Sequence, residues 1–321
     1  MSANLTQEYH KAEETYRRAK TIEEKMVALQ LMLAVIPKHK ATEKLQASIK
    51  TRMARLREES KKKKTTKGYN PFNVDRQGAG QVVLAGYPNS GKSALVGALS
   101  RAKVKGAGYP FATVLPVAGM MPYEDTHIQL VDTPPVTAED IPPGLTGTFR
   151  EADLLLLLVD VSSGDCLEDL DGLMSLMQGR EIIDPAGEEE FIAPVPFITV
   201  ASKIDLPAAP ENLEILAELN PELEIMAISC HGQGLEKLKK NIFEALNVIR
   251  IYGKASGREP DMSQPFILKK GSTVMDFADT VHRDFPARLK SALVWGSSRF
   301  EGQAVSRDYV LADRDVVELQ I

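Results

Sequence analysis

Cysteine is nearly missing from this sequence: Cys166 and Cys230 are the only two in 321 residues. Two thiols so far apart build neither a disulfide framework nor a structural zinc module, and they point to a reducing compartment. Long apolar runs are absent too. The longest, Leu154 to Val159, falls far short of the ~18–20 residues needed to cross a bilayer and suits one buried strand. The first residues, Met1 to Glu8, carry neither a basic nor an apolar stretch of the kind that directs secretion. His231 and His282 stand alone, without metal-ligand spacing. These absences exclude a secreted, membrane-spanning or zinc-scaffolded chain and predict a cytoplasmic protein with no membrane partner. What is present is ordinary for a globular protein, 43% hydrophobic and 26% charged. The length predicts about two domains at roughly 150 residues each.

Charge is unevenly placed. Residues 1–67 hold 17 Lys/Arg against 8 Asp/Glu, residues 68–250 hold 12 against 26, and residues 251–321 hold 10 of each. A basic arm is thus joined to an acidic middle, which suits an arm that seeks a polyanion, although polar helices with solvated faces give the same count. The arm reads as helical. Leu5, Tyr9, Ala12, Tyr16 and Ala19 make one apolar stripe. Thr21 to Glu24 is a capping-box pattern ahead of Met26, Leu29 and Leu33, and Pro37 ends that helix. Leu45, Ile49, Met53 and Leu56 form a third stripe, followed by the self-repelling run Lys61–Lys64. Gly68 to Pro71 and Gly78 to Gly80 then punctuate the entry to a new domain.

The next segment carries the chemistry. Gln81 to Ala85 is a β-branched and apolar strand, and it runs into Gly86-Tyr87-Pro88-Asn89-Ser90-Gly91-Lys92-Ser93, then into the helix-like Ala94 to Leu99. This is the G-x-x-x-x-G-K-[ST] phosphate loop in its strand–loop–helix setting. The glycines let backbone N–H groups turn inward as an anion nest at the positive end of a helix. Lys92 supplies a point charge to the β- and γ-phosphates, and the Ser93 hydroxyl can ligate Mg²⁺. The candidate nucleotide contacts are Gly86, Asn89, Ser90 and Gly91 in the loop, with Lys92, Ser93 and Ala94 at the helix start.

Four further patterns come in order. Tyr109 to Thr113 sits in a Gly-flanked loop from which Thr113 can reach Mg²⁺ and the γ-phosphate. The strand His127 to Val131 delivers Asp132 to the second shell of that ion. Strand Phe197 to Ala201 ends at Ser202-Lys203-Ile204-Asp205, and strand Glu224 to Ile228 ends at Ser229-Cys230-His231-Gly232. A carboxylate at Asp205 accepts from N1–H and the 2-amino group of guanine, whereas adenine would leave it unpaired, so the pattern selects GTP/GDP over adenine nucleotides. The apolar stem of Lys203 can lie over the base. The Ser229–Cys230 loop can offer an N–H to the guanine oxygen, with Cys230 a small filler and not a nucleophile.

This series resembles the Obg/DRG-type GTPases, of the translation-factor-related P-loop class. The likeness continues through Gly271 to Phe277, His282 to Phe285, Val294-Trp295-Gly296 and Asp313 to Val317, which look like a TGS domain, and through Lys38 to Glu59, which looks like the N-terminal segment of the DRG branch. The resemblance implies a basic helical arm and linker over 1–67, an α/β P-loop GTPase domain over 68–250 with a mainly parallel sheet and flanking helices, and a ubiquitin-like β-grasp TGS domain over 251–321 with Trp295 in its core. It implies a switch that hydrolyses GTP with Mg²⁺, with Lys92 and Thr113 in the catalytic machinery, acting around ribosomes or RNA through the arm and the TGS domain. Alternatives stay open: a scaffold that binds nucleotide with negligible turnover, a P-loop ATPase, or an arm that docks a protein partner.

The chain departs from the family pattern in two places, the third motif and Ser202. The third motif, Asp-x-x-Gly, reads Asp132-Thr133-Pro134-Pro135, and proline has no N–H for the γ-phosphate. Val136 stands where Ras-like enzymes orient water, a hydrophobic replacement that the resemblance itself implies. Some GTPases of this kind use K⁺ held partly by a loop asparagine, which makes Asn89 a candidate K⁺ ligand and catalytic residue, or a simple brace of the loop. Ser202 replaces the commoner asparagine, and looser bracing of the phosphate loop is expected.

Overall fold

The computed structural model describes residues 7–18, 22–36, 42, 45–53, 71–100, 115–137, 140–185 and 194–321. Leu5, Ala19, Thr21, Pro37, Leu56, the Lys61–Lys64 run, Gly68 to Asn70 and the Tyr109–Thr113 loop lie outside the described residues.

The arm is helical where described: α1 (Gln7–Arg18), α2 (Ile22–Val35) and α3 (residues 45–53). The stripes meet as expected, for Tyr9, Ala12, Met26, Leu29, Ile49 and Met53 form one small core. α2 is apolar on more than one face, because it is covered on more than one side. Val27 leaves the arm's own core and packs with the group around Val136, Ile141 and Phe149.

The central sheet runs β2 (Val117–Tyr123), β3 (Thr126–Asp132), β1 (Gln81–Gly86), β4 (Leu154–Asp160), β5 (Phe197–Ser202) and β6 (Ile225–Ala227) in spatial order. All neighbours are parallel except β2, which folds back on β3 as a hairpin. The uninterrupted apolar run of β4 follows from burial on both faces. Leu154, Leu156 and Leu158 join Val82 and Leu84 under α4 (Lys92–Ser100) and α8 (Leu235–Ala245). Leu155 and Leu157 join Val83 and Ala85 under α5 (Leu145–Arg150) and α6 (Cys166–Gln178). α7 (Ala209–Leu219) closes a satellite core with Val159, Cys166 and Ala201. β1 has β3 on one side and β4 on the other, so the strand order reverses there and opens a crevice at the C-terminal ends of the strands.

The second sheet runs β10 (Gln303–Val305), β9 (Ser291–Trp295), β11 (Val316–Gln320), β7 (Val248–Gly253) and β8 (Phe266–Lys269). β7 and β11 are parallel within an otherwise antiparallel sheet. α9 (Val274–Val281) covers one face through Val274, Phe277 and Ala278, with α10 (Phe285–Arg288) beyond it. The Thr273 and Asp276 side chains cap α9 reciprocally. This is a β-grasp arrangement, and the expected boundary after Arg250 falls inside β7. Trp295 is not in that core. It projects from β9 opposite Ala292 and Val294, half-buried beneath the Lys254 ammonium 4.7 Å from its ring.

The two sheets meet at Arg250, whose side chain is 4% exposed. Its guanidinium pairs with Asp313 at 2.6 Å within the second domain and with Asp125 at 2.8 Å in the β2–β3 turn, and Glu124 of that turn accepts from it as well. The Tyr252 hydroxyl donates to Asp125. Asp313, then Glu124 and Asp125, raise the guanidinium's affinity for its proton still further against the opposing effect of burial.

Candidate functional site

The site sits at the strand reversal. β1 ends at Gly86, where a Cβ would lie 2.6 Å from the Leu158 carbonyl and 2.6 Å from Ser90 Oγ, so only glycine lets the loop leave the sheet here. Asn89 and Gly91 adopt left-handed backbone, at φ 65° and 93°. The turn brings the chain back to start α4 at Lys92. Asn89 is exposed at the tip, and Ala94 is exposed in the first turn of α4.

Lys92 is 6% exposed. Its ammonium donates to the carbonyls of Gly86 (2.9 Å) and Tyr87 (3.0 Å) and to Ser90 Oγ (3.3 Å), so it lies folded inside its own loop. Burial lowers its pKa to about 8, against a smaller upward pull from Asp132. A polyphosphate seated in the loop would replace those neutral acceptors with charged oxygens. Beside it, Ser93 Oγ donates to Asp132 Oδ2 at 2.6 Å, which brings the end of β3 to the start of α4. Among the described residues no group of three or more His, Cys, Asp or Glu is placed to hold an ion. Ser93 and Asp132 are hard oxygen donors, and that set fits Mg²⁺ shared with phosphate oxygens. Thr113, the other expected ligand, lies outside the described residues.

The stretch after Asp132 is tied down. Thr133 Oγ1 donates to the Leu84 carbonyl at 2.6 Å, Pro134 and Pro135 are buried, and the Val136 N–H donates to the Gly86 carbonyl at 3.2 Å. Neither the Thr133 nor the Val136 anchor was visible in the sequence, since both depend on β3 lying next to β1.

The base end is built from the ends of β5 and β6. Ser202, for which looser bracing is expected, still holds the loop. Its hydroxyl lies 2.8 Å from the Ser90 carbonyl and 3.1 Å from that of Val159, so the serine does brace the phosphate loop, from the neighbouring strand end. Lys203 has left-handed backbone, φ 63°, and its ammonium pairs with Asp160 at 2.5 Å. Asp160 was missed from the sequence. It is the cross-strand partner of Ser202 in the β4–β5 register, so strand pairing alone brings it to Lys203. With the ammonium pinned, the apolar stem of Lys203 is left as the surface on which a base can lie. Asp205 is exposed at the rim. The Ser229 hydroxyl, its own backbone N–H and His231 hold its carboxyl below the usual carboxylate range, and His231 Nδ1 lies 3.2 Å from Oδ2. His231 is therefore not isolated. Cys230 is half-buried against the core, and burial pushes its thiol up, which fits a filler.

The loop and the Asp132 strand end thus meet through Ser93, and the candidate phosphate and base elements are joined through Ser202 and Ser90. Residues 81–190 match the family described as 50S ribosome-binding GTPase, and residues 249–320 match the TGS domain. An uncharacterised GTP-binding protein of Methanocaldococcus jannaschii is 29% identical to this chain, covering 94% of it and 93% of that protein. A developmentally regulated G-protein of Arabidopsis thaliana is 26% identical over 92% of this chain and 90% of its own length. The structure of the YchF GTPase of Schizosaccharomyces pombe, at 14% identity and a TM-score of 0.51, covers 77% of this chain and 99% of that one, a likeness of fold alone. With a match to a GTPase domain followed by a TGS domain, the chain is similar along nearly its whole length to GTP-binding proteins of the developmentally regulated type.

Proposed function

We propose that this protein is a switch that hydrolyses GTP to GDP, slowly and with stimulation by K⁺, and that it works on a ribosome or another RNA-containing partner. The observation that supports the nucleotide part is that the Ser202 hydroxyl, at the end of the strand that leads to Asp205, reaches the Ser90 carbonyl of the loop that holds buried Lys92, which sets a candidate phosphate loop beside a candidate base-reading carboxylate. Phosphoryl transfer to water needs charge neutralisation and a positioned water more than covalent chemistry. Lys92 supplies fixed positive charge, and Ser93 with Asp132 would hold Mg²⁺, which supplies more when bound. Thr113 would complete that set. The proposed division is a helical arm over 1–67, a GTPase domain over 68–250 and a TGS domain over 251–321. Support for an RNA partner is electrostatic and rests on the excess of 17 basic over 8 acidic residues in 1–67.

Val136 is fully buried, so nothing at that position reaches water to orient it. Asn89, exposed at the tip of the loop with left-handed backbone, is the proposed K⁺ ligand. Multiple-turnover phosphate release, measured in K⁺ and in Na⁺ on wild type and Asn89→Ala, tests this. Faster release in K⁺ that the variant loses is expected, whereas equal rates in the two salts sink the K⁺ role. A second reading is favoured by the same buried Val136 and by Pro135: a guanine-nucleotide-dependent scaffold with negligible turnover. No phosphate release with or without ribosomes, at full nucleotide occupancy, selects it. Tighter binding of fluorescent GDP than of ADP separates both from an ATPase.

A further inference from the structure

α7 buries one side and leaves the other uncovered. Ala209 and Leu216 are buried in the satellite core that the helix shares with α6. The Asn212 side chain donates to the carbonyls of Val161 and Ser163 at 2.9 and 3.1 Å, which pins the helix to the loop after β4. On the outer side, Ile215 and Leu219 stand one turn apart, 39% and 64% exposed, and Leu206 just before the helix is 41% exposed. A single exposed leucine is ordinary. Here three of the nine large apolar side chains exposed among the described residues gather within residues 206–219, which marks a contact surface.

Charge on this face has one sign. Residues 204–236 hold seven Asp/Glu and no Lys/Arg, and α6, which lies beside α7, has no Lys or Arg either. Glu211, Glu214, Glu218 and Glu222 are exposed, as are Glu168 and Asp171 of α6. Among the described residues no Lys or Arg pairs with the first four. Helical spacing sets Glu211, Ile215 and Leu219 on one stripe, with Glu214 and Glu218 along its edge. The phosphate backbone of RNA is repelled by such a surface. What complements it is positive charge beside an apolar ridge. The arm of a second copy has the charge without the ridge, because Tyr9, Leu29, Ile49 and Met53 are already buried in the arm's own core.

We propose that the outer face of α7 docks a Lys/Arg-rich amphipathic helix of another protein. The apolar ridge of that helix lies on Ile215 and Leu219, and its cations meet the glutamates of α7 and the acidic side of α6. The face is preformed, since core and the Asn212 hydrogen bonds hold α7 in place, so binding orders little on this side.

The probe is a dye-labelled synthetic helix of leucine and lysine, with leucines one turn apart and lysines on either side. It is titrated into the full chain, with affinity read by fluorescence anisotropy and location by amide chemical shifts. A dissociation constant on the order of 10 μM is expected, weakening with salt, with shifts centred on residues 206–222 and α6. Leu219→Ser is expected to weaken binding about tenfold, and Glu214→Gln with Glu218→Gln about threefold or more. Both variants should melt as wild type does, because these side chains are exposed. A peptide with glutamine in place of leucine that binds as tightly reduces the contact to bulk charge and overturns the proposal. Unchanged affinity in Leu219→Ser, shifts centred elsewhere, or no binding at about 1 mM overturns it as well. Concentration-dependent self-association of wild type that Leu219→Ser removes gives the face to a second copy, and so also overturns it.

Discussion

Lys92 shows how one residue sets a pH dependence. Its pKa is about 8 in the folded, ligand-free protein and near 10.5 as an ordinary lysine. Between those values the unfolded chain binds the extra proton, so stability rises with pH across that window. Below pH 8 the full cost of burying the ammonium is present, on the order of 3 kcal/mol. Thermal melting of the ligand-free protein should therefore improve from pH 8 toward pH 10, once other titrations are subtracted with Lys92→Met. Nucleotide binding should run the other way. Phosphate needs the charged lysine, so GDP affinity should fall as pH rises through about 8, by up to about tenfold per unit. A flat affinity from pH 7 to 9.5 would contradict this. At the opposite end of the crevice, Asp205→Asn should weaken GDP binding on the order of 100-fold while leaving melting unchanged, because the side chain is at the rim. The loop residues and Asp205 were legible from sequence because each has a fixed place in an ordered series. Asp160, the Val136 N–H and the reach of Ser202 were not, since each depends on which strand ends are neighbours.

At the scale of elements, β1 and β4 carry the site. Gly86→Ala places a methyl against the Leu158 carbonyl, which is backbone and cannot turn aside. The two strands must separate at the end that opens the crevice, so nucleotide binding should be lost while far-UV circular dichroism is retained. Leu156→Ala acts deeper in the sheet. Leu156 is wholly buried, and its loss should cost about 2–5 kcal/mol in urea unfolding. The run Leu154 to Val159 announced a buried strand, and the phosphate loop announced what precedes α4. The stripes of α1 and α2 were equally readable. The second sheet was not readable from periodicity, because its strands are short and half-exposed, and it was recognised only by resemblance. Trp295 illustrates the limit: alternation along β9 puts Ala292 and Val294 inward, and a wide aromatic on the odd face can only be placed once its neighbours are known.

The molecule as a whole is joined at Arg250. Arg250→Ala would leave Asp313, Asp125 and Glu124 facing one another around a cavity, and breaking a buried charged group of this kind costs about 3–5 kcal/mol. Arg314→Ala is the control. Arg314 also pairs with Glu124, but it is 57% exposed, and its loss should cost under ~1 kcal/mol. Calorimetry should show the second domain's transition falling sharply in the first variant and barely in the second; equal shifts would count against the joint. No reading of the sequence could find this cluster, since its members come from three distant stretches and the carboxylates look like ordinary surface charge. Among the described residues no helix is long and apolar enough to cross a membrane.

Only Leu246 and Asn247 lie between α8 and β7, and the Asn247 carbonyl accepts from Lys270. A swivel needs slack backbone, and there is none at this seam. Whatever grips the β-grasp sheet therefore holds a lever and not a pendant, and torque applied there arrives at the turn from which β3 runs to Asp132.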